Sequence, residues 1–160
     1  MGVRIYDRSR DPSDLNRAEL SCRRALDLDA SLVETEKALG SLYLSSGRIA
    51  DSEAIYQTLV TRSPQDADGH IGLGQAHAAA GRFEAAEGSF RTAVQVEPAF
   101  WGAFNALGGY LFSRGRIDEA IDAYREVSEL TPASASAYNN LGAALQMKGD
   151  LRGAADAFRR

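Results

Sequence analysis

The chain of 160 residues has a single cysteine, Cys22, and only two histidines. One cysteine excludes an internal disulfide and is typical of proteins from a reducing compartment. No apolar run approaches the roughly 20 residues that a membrane-spanning helix needs. Residues 1–10 carry four charged side chains and no apolar segment, unlike a secretory signal. These absences predict a cytoplasmic protein that is not inserted in a membrane.

An excess of positive charge is also missing. The net charge is −4 and the isoelectric point is near 5.2, which argues against a nucleic-acid binder that works by neutralising phosphates. The hydrophobic fraction of 44% and the charged fraction of 25% are ordinary for a folded protein. The chain is therefore expected to form one domain with a core of its own.

The sequence contains no catalytic constellation. His70 and His77 lie seven residues apart, about 10.5 Å along a helix, too far to hold one metal ion unaided. Gly72 and Gly74 begin like a dinucleotide fingerprint, but the third glycine and the preceding strand are absent. We interpret both histidines as packing residues and Cys22 as a small buried apolar residue. No catalytic site, metal or cofactor is predicted, so the protein is not expected to be an enzyme.

A 34-residue repeat organises most of the chain, and its clearest copy runs from Trp101 to Pro132. The recurring residues in that copy are Phe104, Leu107, Gly108, Leu111, Ala120, Tyr124 and Pro132. The same offsets recur in the two preceding copies and in the one that follows, with no insertion between Val33 and Arg160. Self-similarity at this period indicates a helical solenoid.

The pattern resembles the tetratricopeptide repeat (TPR) family, which has an aromatic, Leu-Gly, Tyr, Ala, aromatic and Pro at these offsets. The departures are local: Glu36 and His70 replace the first aromatic, Leu111 and Leu145 replace the tyrosine, and Ser52 replaces an alanine. The resemblance implies an all-α fold, a right-handed superhelix of antiparallel helix pairs whose first helices line a concave groove.

The pattern also predicts how the chain is divided. Residues 1–12 are a divergent or truncated segment, 13–32 the second helix of a partial repeat, 33–66, 67–100 and 101–134 complete repeats, and 135–160 a truncated fourth. First helices are expected at 32–46, 67–80, 101–114 and 135–148, and second helices at 14–28, 50–62, 83–97, 117–130 and 151–160. Ser13 or Asp14 is the predicted N-cap of the first of these, after a turn at Pro12.

Small residues and aromatics have predicted packing roles. A glycine follows each first helix, where the chain turns in a left-handed conformation. The glycine within each first helix allows the partner helix to approach closely. The aromatics of the second helices, Tyr56, Phe90, Tyr124 and Phe158, are expected to fill the space between a repeat and its neighbour.

The resemblance places ligand contacts mostly on the first helices. The candidate peptide-binding residues are Lys37, Ser41, Ile71, Gln75, Asn105, Phe112, Asn139, Asn140 and Gln146. This surface is neutral and rich in amides, which can both donate to and accept from a peptide backbone. Asn105 and Asn139 occupy the same repeat position and are expected to face one trough.

Two known kinds of TPR groove do not fit. Of the five residues that chaperone-binding domains use as a carboxylate clamp, only Lys37 is matched. The asparagine ladder of O-linked N-acetylglucosamine transferase is reduced to Asn140 alone.

Three functions remain open. The leading hypothesis is a non-enzymatic scaffold that binds a protein or peptide in the groove. The second is a regulatory or substrate-docking segment of a larger enzyme, such as a signalling kinase, a cyclase or a glycosyltransferase. The third is a structural solenoid that self-associates through its C-terminal helix, where Leu151, Ala154, Ala155 and Phe158 form an apolar stripe.

Overall fold

A computed structural model describes residues 12–29 and 31–160, which form nine α-helices and no strand. The helices are α1 (Pro12–Leu28), α2 (Val33–Ser45), α3 (Ile49–Arg62), α4 (Ala67–Ala79), α5 (Phe83–Val96), α6 (Trp101–Ser113), α7 (Ile117–Leu130), α8 (Ala135–Lys148) and α9 (Leu151–Phe158). The predicted N-terminal segment 1–12 lies outside the described residues except for Pro12. The all-α solenoid predicted from the repeat is confirmed.

Helix bounds agree with the predicted ones to within one or two residues. The largest differences are at α1, which begins at Pro12, and at α9, which ends at Phe158. The predicted N-cap at Ser13 or Asp14 is wrong, because both residues are already inside α1. Proline suits the first turn of a helix, where its missing N–H would have had no partner in the helix.

The turn glycines take the conformation predicted for them. Gly47, Gly81, Gly115 and Gly149 have φ between 75° and 89°, whereas no non-glycine residue in the described part of the chain has a positive φ. A side chain at these positions would be strained, so glycine ends each first helix. The chain then reverses within about two residues and starts the second helix of the pair.

Within each pair, an aromatic ring of the second helix lies against a glycine of the first. An added Cβ on Gly40 would come within 2.7 Å of Tyr56, and one on Gly108 within 2.8 Å of Tyr124. The predicted close approach is therefore confirmed. The aromatics also reach the next pair as predicted, since the ring centroid of Phe90 lies 5.2 Å from that of Tyr110 of α6 and both belong to one core cluster. Tyr56 alone among them also meets a glycine of the next pair, Gly72.

The stack has two distinct faces. The first helices lie side by side, since α2 contacts α4 and α4 contacts α6, whereas each second helix reaches the next pair mainly through that pair's first helix. The helices α2, α4, α6 and α8 therefore form the inner side, which we call the concave groove. The helices α1, α3, α5, α7 and α9 form the outer side, which we call the convex face.

Arginines that follow the turn glycines tie consecutive second helices together, in what we call the arginine ladder. Arg48 bonds to Glu19 of α1 at 2.8 Å, Arg82 to Glu53 of α3, and Arg116 to Glu87 of α5 at 2.5 Å. These three ion pairs recur once per repeat. These ion pairs were not predicted from the sequence, although the Gly-Arg dipeptides and their glutamate partners share the repeat spacing.

The ladder is expected to make the folded protein sensitive to acid. Burial alone would raise the pKa of Glu87, but hydrogen bonds from Arg116 and Arg91 lower the pKa below its ordinary 4.5. The hydrogen bond from Arg48 likewise lowers the pKa of Glu19. A carboxylate whose pKa is lower in the folded state than in the unfolded state stabilises the fold at any pH above its unfolded-state pKa. That contribution is lost as the pH falls through its folded-state pKa.

We therefore expect the melting temperature to fall as the pH is lowered below about 5. Glu87→Gln removes one of the responsible carboxylates, so its melting temperature should be lower than that of the wild type at neutral pH and should converge with it in acid. Glu97→Gln, at an exposed glutamate without a described ion pair, is the control. Parallel pH curves for the wild type and Glu87→Gln would contradict the assignment.

Candidate peptide-binding groove

The nine candidate residues all lie on the first helices α2, α4, α6 and α8. Their exposure differs. Ser41, Gln75, Asn139 and Gln146 are exposed, whereas Lys37, Asn105 and Asn140 are half-buried. Ile71 and Phe112 are also half-buried and pack against the apolar core. Much of the surface of these last two candidates is therefore already used by the fold.

A small cavity of about 190 Å³ opens into the groove between α2 and α4. Its lining residues are Lys37, Ser41, Tyr56, Asp68, Ile71, Gly72 and Gln75. Four of these are candidate residues, so the structure brings Lys37, Ser41, Ile71 and Gln75 together.

The base of this cavity is a tyrosine from the second helix α3. Tyr56 donates to the backbone oxygen of Lys37 at 3.0 Å, and its hydroxyl lies 2.8 Å from Ser41 Oγ. Burial raises the pKa of Tyr56, so the hydroxyl keeps its proton. From the sequence, Tyr56 was expected only to fill the space between a repeat and its neighbour. The feature of the sequence that could have indicated this contact is Gly72, because a glycine there leaves room for the Tyr56 ring to reach between the first helices.

Lys37 is held by three carboxylates. Its Nζ lies 3.0 Å from Asp66, 3.2 Å from Glu34 and 3.4 Å from Asp68. Burial alone would lower the pKa of Lys37, but the hydrogen bonds to Asp66 and Glu34 raise the pKa above its usual value. The site as a whole is negative. Lys37 is therefore not a free cation for a peptide carboxylate, which agrees with the missing carboxylate clamp.

An amide pair bridges α6 and α8 further along the groove. Asn140 Nδ2 donates to Asn105 Oδ1 at 2.9 Å. Within the described residues, the remaining donor of Asn105 and the remaining acceptor of Asn140 make no other side-chain hydrogen bond. Asn139, the residue at the repeat position of Asn105, is exposed beside this pair. The structure thus pairs Asn105 with Asn140.

Charge is nearly absent from most of the groove. The helix α6 has no charged residue, α4 has only Asp68, and α8 has only Lys148. Lys148 pairs with Asp118 of α7 at 2.7 Å, so its charge is directed away from the groove. Beyond the cavity at Lys37, the concave surface is therefore nearly uncharged and includes the amides of Asn105, Asn139, Asn140 and Gln146.

The two histidines have structural contacts. His70 Nε2 lies 2.9 Å from the backbone oxygen of Pro64, and His77 lies between Ser89 at 3.3 Å and Glu53 at 3.5 Å. Cys22 is half-buried, less than expected.

No helix in the described part of the chain has the length and apolar character needed to cross a membrane.

The apolar stripe of the last helix is only partly covered. Ala154 is buried, whereas Leu151 is 69% and Phe158 48% exposed. Self-association through α9 remains a prediction.

Two family models match most of this chain. One, described as a tetratricopeptide repeat, matches residues 37–104, and the other, a TPR repeat, matches residues 110–149. The chain belongs to the tetratricopeptide repeat family. This TPR chain therefore shares a fold that generally serves as a non-catalytic scaffold for binding other proteins.

Solved structures support the same fold. A crystal structure of MamA is 26% identical with a TM-score of 0.72, and the alignment covers 99% of this chain and 93% of that one. The TPR protein TTC0263 of Thermus thermophilus is 20% identical with a TM-score of 0.78, covering 92% and 81%, and shows the fold alone. No curated protein matches the sequence.

Proposed function

We propose that this TPR protein is a non-enzymatic scaffold whose concave groove binds an extended, largely uncharged peptide of a partner protein. The observation that carries the proposal is the Asn105–Asn140 pair on a surface almost free of charge. The pair is already oriented by its mutual hydrogen bond, so little side-chain entropy is lost when a ligand binds.

The free groups of the pair suit a peptide backbone. Asn105 keeps a donor and Asn140 keeps an acceptor, and an extended peptide offers both an acceptor and a donor at each residue. Gly109, exposed on α6 next to this pair, leaves space for close approach of a backbone. Tyr56 and Ser41 at the base of the α2–α4 cavity offer a second polar contact point.

Replacing the pair should weaken peptide binding without unfolding the protein. Peptides selected from a random library against the wild type would be measured against Asn105→Ala, Asn140→Ala and the double variant. Each lost hydrogen bond should cost about 0.5–1.5 kcal/mol of binding free energy. Because the groove around Asn105 and Asn140 carries almost no charge, the affinity for an uncharged peptide should change little with salt.

The control is Gln95→Ala, an exposed amide on the convex helix α5, which should leave the affinity unchanged. Circular dichroism melting shows whether each variant folds. Undiminished binding by the folded double variant would show that the groove near α6 and α8 is not the site.

A further inference from the structure

Three clefts occupy equivalent places on the convex face. Each lies between two consecutive second helices and has a first helix at its base: α1–α3, α5–α7 and α7–α9, with volumes of about 380, 330 and 420 Å³. Leu39, Leu107 and Leu141 stand at the same repeat position, one at the base of each cleft. The clefts therefore arise from the repeat itself and lie on the side opposite the concave groove.

The α5–α7 cleft has an apolar base. Leu107 and Leu111 of α6 lie at its bottom, with Phe104 of α6, Val94 of α5 and Ala123 of α7 around them. Phe104 and Val94 are only half-buried, so part of their apolar surface remains open to a ligand. A cleft of this kind can accept an aliphatic or aromatic side chain of a partner.

The rim of the same cleft is acidic. Its charged residues are Glu119, Asp122, Glu126 and Arg91. Arg91 is already shared between Glu87 at 2.9 Å and Glu119 at 3.1 Å, so it compensates little of the remaining charge. Asp122 is paired only with exposed Arg125, and Glu126 has no ion pair within the described residues.

The helix α7 concentrates this charge. It contains five carboxylates and one arginine, a net charge of −4 that equals the net charge of the whole chain. It also separates two of the clefts, since Asp122 lies at the rim of the α5–α7 cleft and Glu129 at the rim of the α7–α9 cleft. A ligand that lies across α7 would meet apolar clefts on both sides of a negative ridge.

We propose that the convex face around α7 is a second docking surface, whose occupant is a basic amphipathic helix of a partner protein. Its apolar side chains enter the α5–α7 cleft, and its lysines or arginines lie against Asp122 and Glu126. Charge complementarity selects this occupant, because acidic segments are repelled by the rim and uncharged ones leave it unpaired. The two faces are separate, so this surface can be filled while the groove holds a different ligand.

The probe is a synthetic amphipathic helix of leucine and lysine, labelled for fluorescence anisotropy. The full chain is compared with Asp122→Lys/Glu126→Lys, and the affinity should fall about tenfold or more, because like charges then face each other. The control Glu84→Lys/Glu97→Lys makes the same change in net charge at two exposed residues that do not line the cleft, and it should lose much less. Circular dichroism melting of each variant establishes that it is folded.

Two further probes test the apolar contribution and the sign of the charge. A peptide with serine in place of leucine should bind about tenfold more weakly or worse, since it cannot fill the cleft. A peptide with glutamate in place of lysine should not bind. Asn105→Ala/Asn140→Ala should bind the leucine–lysine peptide as the wild type does, because the groove is not involved.

Several outcomes would overturn the proposal. Equal losses in the site and control variants would mean unspecific charge attraction. Undiminished binding of the serine peptide would show that the apolar cleft does not contribute to binding. Binding of the glutamate peptide would show that the acidic rim does not select basic ligands. A loss in the Asn105→Ala/Asn140→Ala variant would place the peptide in the groove and would leave the proposed groove function standing.

Discussion

Gly72→Ala is expected to destabilise the protein, whereas Gly88→Ala is expected to stabilise it. An added Cβ on Gly72 would lie 2.2 Å from the ring of Tyr56, but one on Gly88 meets nothing within 4 Å. Both glycines lie inside helices, where alanine is favoured by about 1 kcal/mol. Gly88→Ala should therefore raise the free energy of unfolding by about 0.5–1 kcal/mol.

The Tyr56 ring cannot move away from Gly72 easily. Its Cε1 edge faces Gly72 of α4, and its Cε2 edge faces Gly40 of α2, where an added Cβ would lie at 2.7 Å. The ring is 3% exposed, and its hydroxyl is bonded in the groove. Overpacking such a site costs about 1–3 kcal/mol. The gain in helix propensity is about 1 kcal/mol, so most of the range of the overpacking cost exceeds it.

Urea denaturation measures the free energy of unfolding of the two variants, which should be lower than that of the wild type for Gly72→Ala and higher for Gly88→Ala. A second background, Tyr56→Leu, tests the cause, because the penalty of Gly72→Ala should largely disappear once the ring is gone. An unchanged penalty in that background would show that Tyr56 is not the obstacle. A stabilising Gly72→Ala in the wild type would contradict the packing described for α2, α3 and α4.

The local features of this fold could be predicted because they depend on single repeat positions. The turn glycines and the glycines under the aromatic rings recur once per repeat, and the structure puts them where that spacing implies. The arginine ladder had the same kind of signal. Arg82 and Glu53 are as regularly spaced as the glycines, but the spacing of charged residues does not show by itself which of them pair.

The groove was harder to predict because it depends on contacts between pairs. Asn105 and Asn139 share a repeat position, yet Asn105 bonds to Asn140, one residue further along the chain. A shift of one residue turns a side chain by about 100° around a helix. Periodicity identifies the helix face, but the direction of each side chain and the splay between neighbouring helices decide which amides meet.

The same limit applies to the environments of Ile71, Phe112 and Tyr56. Their repeat positions placed Ile71 and Phe112 in the groove and placed Tyr56 in the packing between repeats. The structure packs Ile71 and Phe112 partly against the core, while the Tyr56 hydroxyl reaches the groove through the gap left by Gly72. These differences come from the sizes of neighbouring residues, which vary from one pair to the next, and not from the repeat.

Leu111→Ala is expected to have the largest effect of any substitution considered for this protein. Leu111 is 2% exposed and lies in the largest core cluster, together with Phe90 of α5, Tyr124 of α7 and Leu145 of α8. Truncation of a buried leucine removes apolar contacts and leaves a cavity, which costs about 2–5 kcal/mol. Leu28→Ala, at a leucine that is 90% exposed, should change the stability by less than about 0.5 kcal/mol.

The loss from Leu111→Ala should also be local. In a solenoid each helix pair contacts only its neighbours, so stability is close to a sum of pair and interface contributions. Hydrogen exchange should therefore show lost protection in α6, α7 and α8 before α2 and α3, which do not contact Leu111's cluster except through α4 and α5. A change below about 1 kcal/mol would show that the cluster is not a tightly packed core, and uniform loss of protection from α2 to α9 would show that the stack unfolds as one unit.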